Sequence, residues 1–491
     1  MAELKKKVVR GFAWNVAEKV ASALFQAWVV VNILNRVAPG EYALKAILAA
    51  FVAVFNVFVD SGFSQALIRN KNATSDDYSS AFWFNLGISA LVYAVLVALM
   101  WPMARFFGMP DLMRFAPVFF LIIPFGAVGI IQQTVMTREF DFRRLSTIFF
   151  ASTVGSGLLG VALAFAGFGF WAIVGQRVAQ TFFRSALLWM FGRWRPVARF
   201  SGAAIRAMFG FSSRLLATDL LNNLFANVPN LIIGRVAPRD TLGFYDQARS
   251  LRDLPVNSSM TAMQSVTFPA LASIRENDEK FARSVGRVVG SIVFLMFPIM
   301  AGMTVVADEI FGVFLKAEWW ASVPFFRILC LAGLFTPLAV ISSNILRTRS
   351  DGRAVLRAEI VKKILAVGVL AVTIPMGVVA IAWGVVAIAF GDAAVSFVVA
   401  RRESAYGLRA LGRDVLPTLG LTAVMAGAVW LVGVLLGPAV GSLAPKIAMG
   451  MVLAAKIFVG VGVYLGGAAL LRLAAFGEFM EVVKKIAGKI K

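Results

Sequence analysis

The sequence predicts an all-α polytopic membrane protein with about fourteen transmembrane helices. Three observations lead there. Of 491 residues, 59% are hydrophobic and only 15% charged, whereas soluble domains are about 45 to 50% apolar. Runs such as ALVYAVLVALM, ILAVGVLAVTIPMGVVAIAWGVVAIAF and TLGLTAVMAGAVWLVGVLLG approach or exceed the roughly 18 to 20 apolar residues that a span requires. Strand alternation is absent, which excludes a barrel.

Breaking the chain at charged and Gly/Pro-rich gaps places helix centres, in order, near Ser22, Phe55, Ala90, Phe125, Gly155, Gln180, Leu221, Pro255, Leu295, Leu334, Val367, Ile388, Met425 and Val459. The first segment contains Glu18 and Lys19 and lacks a small-residue cleavage site, so it reads as a retained helix rather than a signal peptide. The second follows a proline corner, the seventh follows RWRPVARFSGAAIR, and the ninth follows ASIRENDEKFAR. These are the longest gaps, and they are too short for a catalytic domain outside the membrane. The last stretch, FGEFMEVVKKIAGKIK, puts Phe479, Val482, Val483, Ile486 and Ile490 on one face with Lys484, Lys485, Lys489 and Lys491 more exposed. Such a helix can lie on an anionic leaflet, or serve as a solvated tail.

The net charge of +22 is mainly a topology signal. With the N-terminus in the cytoplasm, about 29 cations fall on cytoplasmic loops and about 7 on external ones, an asymmetry that fits an even helix number and two cytoplasmic termini. No nucleic-acid partner is implied, because the cations sit between apolar runs. The chain has no histidine and one cysteine, Cys330, in an apolar stretch. Zinc chemistry, a Ser-His-Asp triad and an internal disulfide are excluded, and Cys330 reads as packing. Gly155, Gly157 and Gly160 spell GxGxxG inside an apolar helix with no strand before them, so they read as helix packing rather than a nucleotide site.

The chain also repeats itself. NRVAPGEY at 35–42 returns as GRVAPRDT at 234–241. The offset from Arg36 to Arg235, about 199 residues, also superposes Gly11-Phe12 on Gly210-Phe211 and Gln65 on Gln264. It maps the first helix onto the seventh and the second onto the eighth, so the halves share one orientation and are related by an axis along the membrane normal. Two lobes of about six helices follow, 1–200 and 201–405, with two further helices in 406–473 and a basic amphipathic tail in 474–491. Proline at the repeated corner ends the preceding helix, and arginine there can bind its last carbonyls.

Charges within the apolar spans carry the functional signal. Glu18, Lys19, Asp60, Arg177, Arg184, Asp219, Asp246, Arg249, Arg252, Asp253 and Asp392 lie well inside, and Lys45, Arg214, Arg327 and Lys363 lie nearer the ends. Ten such groups facing lipid would cost about 25 to 35 kcal/mol, against net stabilities of about 5 to 15 kcal/mol. They must therefore pair with one another, as Asp246 with Arg249, or face water or a ligand. Helical spacing gathers polar groups into seams: Asn15, Glu18, Ser22 and Gln26 on the first helix; Arg177, Gln180 and Arg184 on the sixth; Asp219, Asn223, Asn227 and Asn230 on the seventh; Asp246, Arg249, Asp253 and Asn257 on the eighth.

Along these seams the cations Lys19, Lys45, Arg177, Arg184, Arg214, Arg249, Arg252 and Arg327 outnumber the acids Glu18, Asp60, Asp219, Asp246 and Asp253. An anionic substrate is favoured, and arginine suits phosphate because its planar fork donates paired hydrogen bonds. Gln26, Asn222, Asn223 and Asn227 are suited to sugar hydroxyls. The acids can tune the cations or carry a coupling H+ or Na+; no other cofactor and no metal is implied. Prolines at 124, 229, 255, 298 and 337 allow kinks.

GFAWNVAEKVASALFQ, RVAPGEY, VFVDSGFSQALIRN, RVAPRDTLGFYDQARSL and FPALASIREND, in that order, resemble the polysaccharide-transporter branch of the MOP superfamily, the Wzx-type flippases of lipopolysaccharide and exopolysaccharide assembly. The resemblance runs through about residue 400 and is weaker beyond. It implies no enzymatic activity but a transporter of the bacterial inner membrane, moving undecaprenyl-pyrophosphate-linked oligosaccharide from the cytoplasmic to the periplasmic leaflet by alternating access. A lipid-linked oligosaccharide, membrane lipids, and a polysaccharide polymerase with its export machinery are the implied partners of a monomer. The alternatives are a cation-coupled multidrug exporter, which would need an acidic pocket, or a lipid II-type flippase.

Overall fold

The computed structural model describes residues 18–19, 21–60, 62–70, 72–197, 199–273, 278–349, 353–404, 406–439, 444–478 and 480. Among them the regular structure is entirely helical. Contacts divide the chain into two units, Met1–Asp246 and Gln247–Lys491.

The first unit holds α1 (Ala21–Leu34), followed by α2 (Pro39–Asp60), α3 (Phe63–Arg69), α4 (Ser75–Phe107), α5 (Leu112–Phe119), α6 (Ile122–Arg138), α7 (Phe142–Phe165), α8 (Trp171–Phe191) and α9 (Gly202–Val236). Helix α10 (Arg239–Ser273) begins in the first unit and continues into the second. The second unit adds α11 (Asp278–Val305), α12 (Ala307–Phe314), α13 (Val323–Arg349), α14 (Arg353–Thr373), α15 (Val378–Glu403), α16 (Leu408–Ala439) and α17 (Pro445–Leu470). All the helix centres expected from the sequence fall inside these helices.

The chain is a multi-pass membrane protein: nine segments among the described residues are long and apolar enough to cross a bilayer. Helices α8, α9, α10 and α14 are not among them, and they carry most of the charges singled out within the apolar spans. Arg177 and Arg184 lie on α8, Asp219 on α9, Asp246, Arg249, Arg252 and Asp253 on α10, and Lys363 on α14. Composition therefore separates helices apolar enough to cross a bilayer from helices whose charges need polar surroundings.

Local chemistry sets the helix ends. Thr74 and Asp77 form a reciprocal capping box at α4: the Asp77 backbone N–H donates to Thr74 Oγ1 at 3.3 Å, and the Thr74 N–H donates to Asp77 Oδ2 at 2.8 Å. The far end of α4 closes on Gly108 at φ 62°, a left-handed conformation that glycine adopts without strain. Asp141 and Ser201 cap α7 and α9 through the N–H groups of Arg144 and Ala204. Of the five prolines read as kinks, Pro124 lies in the first turn of α6, just after the break from α5, while the other four lie within α9, α10, α11 and α13.

The repeated corner has the anticipated form. Helix, Arg-Val-Ala-Pro, helix occurs at both places, and the Arg36 guanidinium donates to Asn32 O at 2.9 Å, binding a terminal carbonyl of its own helix. The two corners also touch. A Cβ on Gly40 would stand 2.6 Å from Asp240 Oδ1, and one on Gly243 would stand 2.0 Å from Pro39 O. In consequence α9 packs on α2, α3 and α4. The packing boundary falls at Asp246, with α9 in the first unit.

In the second unit α13 lies on α15 and α11, and α16 on α11 and α17. Phe281, Val285, Val289, Ile292, Met296 and Met300 of α11 form the spine of its core. Helix α17 is fastened to α12 by a buried ion pair between Lys456 and Glu309. Cys330 is buried, as its apolar neighbours require. Residues Phe479, Val482, Val483, Lys484, Lys485, Ile486, Lys489, Ile490 and Lys491, on which the amphipathic tail was read, lie outside the described residues.

Candidate functional site

The candidate site begins with glycines. On α7 a Cβ at Gly157 would meet Phe25 at 2.6 Å and Val29 at 2.7 Å, and one at Gly160 would meet Gln176 Cβ at 2.6 Å. GxGxxG here is therefore the crossing where α1 and α8 approach α7, as the sequence implied. That approach brings polar seams together. Gln176 Nε2 of α8 donates to Gln26 Oε1 of α1 at 3.4 Å, and Gln180 Nε2 stands 3.5 Å from Thr153 Oγ1 of α7. On α1, Ser22 donates to Glu18 Oε1 at 2.8 Å, and Lys19 reaches Glu18 Oε2 at 4.0 Å. Asn15 lies outside the described residues.

The same face of α8 carries Arg177 and Arg184, seven positions apart and hence about 10 Å along the axis. Among the described residues neither has a carboxylate within ion-pair distance. Arg184 stands 5.9 Å from the Phe149 ring. Two half-buried guanidinium groups with no carboxylate in reach among the described residues, beside glutamine and threonine, form a cationic strip able to hold a multiply charged anion.

Lys45 is held differently. Its buried ammonium group donates to Asp246 Oδ2 at 2.9 Å and to Tyr42 OH at 2.7 Å, while Asn230 Nδ2 donates to Asp246 Oδ1 at 2.9 Å. This knot joins α2, α9 and α10 a few turns from the paired corners, and Arg239 closes it outside by donating to Asp111 Oδ2 at 3.1 Å and Gly108 O at 2.6 Å. Asp246 therefore pairs with Lys45 and not with Arg249, a partner 201 positions away that no helical spacing predicts.

On the second-unit part of α10, Asp253 serves two arginines: Arg249 Nε is 3.7 Å from Oδ2, and Arg252 Nε is 3.2 Å from Oδ1 without hydrogen-bond alignment. Arg252 lies against α13, its Cδ 3.7 Å from the position of a Cβ on Gly333. Arg327 is part of a half-exposed ion pair with Asp308 beside the α12–α13 corner. On α9 the amides fold back on their own helix, Asn223 Nδ2 donating to Asp219 O at 2.9 Å and Asn227 Nδ2 to Asn223 O at 2.8 Å. Their side-chain carbonyls are left to accept. Asp219 is exposed and Asn222 half-buried. The side chains of Asp60 and Arg214 lie outside the described residues.

Tyr42, Gln176 and the Glu309–Lys456 pair were not singled out from sequence. Lys456 alone left a usable signal, as a single charge in the apolar run LAAKIFVG.

The fold is that of a known class of membrane transporter. The chain superposes on an inward closed conformation of the lipid II flippase MurJ with a TM-score of 0.68 over 96% of this chain and 99% of that one, at 11% identity. An inward-facing multidrug resistance MATE transporter of the MOP superfamily gives 0.61 over 82% and 99%, at 15% identity. The family model described as polysaccharide biosynthesis protein matches residues 33–324, and the chain belongs to this family. Similar proteins include the succinoglycan biosynthesis transport protein ExoT of Rhizobium meliloti, 24% identical over 68% of this chain and 67% of that protein. The lipopolysaccharide biosynthesis protein WzxC of Escherichia coli is 24% identical over 67% and 68%, and the teichuronic acid biosynthesis protein TuaB of Bacillus subtilis is 24% identical over 72% and 73%.

Proposed function

We propose that this protein is a flippase that carries an undecaprenyl-pyrophosphate-linked oligosaccharide from the cytoplasmic to the periplasmic leaflet of a bacterial inner membrane. The observation that carries the reading is the pair Arg177 and Arg184 on α8, without a carboxylate partner among the described residues, beside Gln26, Gln176 and Gln180. A diphosphate answers both guanidinium groups, and the amides meet sugar hydroxyls while the polyprenyl tail remains in the bilayer. Names of relatives that mention transport of succinoglycan or synthesis of lipopolysaccharide support the same substrate class.

In this reading all the helices at the expected centres span the membrane, both termini are cytoplasmic, and the repeated halves rock against one another. The knot of Lys45, Asp246, Tyr42 and Asn230, with the clasp at Arg239, is the external gate in its closed state. It opens when those bonds are exchanged for water. Arg249 and Arg252, sharing one carboxylate, give a second cationic station on α10. A coupling H+ or Na+ would act through the acids of the seams, and the protein would work as a monomer beside a polymerase and export machinery. A cation-coupled drug exporter fits less well, because the charge on α8 is positive and would repel cationic compounds.

The double variant Arg177→Ala/Arg184→Ala is the direct test in cells. Surface polysaccharide should fall at least about tenfold, the effect of losing one charge-assisted contact of about 1.4 kcal/mol or more, with membrane insertion unchanged by immunoblot. Full export by the double variant at wild-type abundance overturns the assignment.

A further inference from the structure

We propose that a cavity of about 440 Å³ in the second unit binds the headgroup of a zwitterionic phospholipid, a phosphate joined to a primary ammonium group as in phosphatidylethanolamine. The site owes nothing to the translocation seam and stands apart from the flippase reading.

The cavity is bounded by the first turns of α11, the start of α16 and the segment after α17. Three helix ends meeting at one face put it at headgroup level, on the side that the loop cations assign to the cytoplasm. Arg283, Arg287 and Arg413 stand around it with side chains 62%, 64% and 82% exposed. Their ion pairs are with Glu279, Glu478 and Asp414, the latter two at 4.0 and 3.6 Å. Exposed pairs of this kind contribute little and leave guanidinium groups free to swing.

Two of the carboxylates are fixed more firmly. Asp414 Oδ2 accepts from the buried Tyr406 hydroxyl at 2.9 Å, and Glu478 Oε2 accepts from Ser291 at 2.7 Å. Burial and the Asp414 carboxylate push the Tyr406 phenol well above its usual value, so it remains a donor. Gly286 makes room for this pair, since a Cβ there would meet Asp414 Oδ2 at 2.7 Å and Tyr406 at 3.2 Å.

Held acids with mobile arginines around them balance in charge. A purely anionic headgroup would gain from the arginines and be repelled by Asp414 and Glu478. A zwitterion satisfies both. The ammonium group must carry N–H donors to reach a carboxylate, which a quaternary choline lacks. Apolar walls at Leu473, Ala474 and Ala475 suit the glycerol and first acyl carbons.

The test is native mass spectrometry of the whole protein released from nanodiscs holding phosphatidylethanolamine, phosphatidylcholine and phosphatidylglycerol in equal amounts with matched chains. Retained phosphatidylethanolamine should exceed each of the others by about tenfold, one charge-assisted bond's worth. Gly290→Leu projects into the cavity from a wall with nothing nearer than Ala475 at 4.0 Å, and it should abolish the excess. Arg413→Gln/Glu478→Gln, at the surface, should do the same without affecting folding. Equal retention of the three lipids, a preference for phosphatidylglycerol, or an excess that survives both variants overturns the proposal. Competition by free phosphoethanolamine at the same concentration as the lipid would overturn the assignment to a membrane lipid.

Discussion

Among the described residues Arg177 and Arg184 have no carboxylate at hand, whereas Lys19 and Lys45 each have one. Lys45 shows the contrast, because its charge is matched inside the protein. Removing one partner of a buried pair leaves the other uncompensated and costs about 3 to 5 kcal/mol, whereas replacing both with apolar side chains is often neutral. Lys45→Met should therefore lower the thermal unfolding midpoint in detergent, Asp246→Leu should do the same, and the double variant should recover most of the loss. Additive losses would show that the two side chains do not act as a pair. The sequence revealed that such charges exist and that lipid could not hold them. It did not reveal Lys45's partner, since helical periodicity reports only neighbours three or four residues away. The same limit hid the link from Lys456 to Glu309, 147 positions apart.

At the scale of elements, hydropathy and length located the long helices, because a run of about twenty apolar residues is a local property; the short α3, α5 and α12 carried no such signal. Helix contacts were legible only where they left a mark on composition. The glycines of α7 are such a mark: each replaces volume that Phe25, Val29 or Gln176 now occupies. Gly160→Leu should force α8 from α7 and break the alignment of Gln176 with Gln26. The cost of overpacking is about 1 to 3 kcal/mol, readable as a lower unfolding midpoint together with reduced export. Gly210→Leu, on α9 with nothing within 4 Å of its Cβ position, is the matched control and should leave the midpoint unchanged. A Gly160→Leu protein as stable as this control would mean that the crossing tolerates a wider separation.

For the whole molecule, the repeated Arg-Val-Ala-Pro corner is where duplication in the sequence becomes contact in space. If that contact is the closed external gate, locking it must stop transport. Gly40→Cys with Asp240→Cys, in a Cys330→Ala background, joins two positions already in contact. Oxidation should block export and reductant should restore it, whereas export undiminished by a quantitatively formed cross-link would show that this corner does not move. The most direct measurement of the central claim is transport in proteoliposomes loaded with a defined undecaprenyl-pyrophosphate-linked oligosaccharide, comparing wild type with Arg177→Ala/Arg184→Ala. Wild-type vesicles should expose the oligosaccharide to an external lectin with time while the double variant stays near the protein-free rate. Equal rates in the two would contradict the role assigned to the α8 arginines.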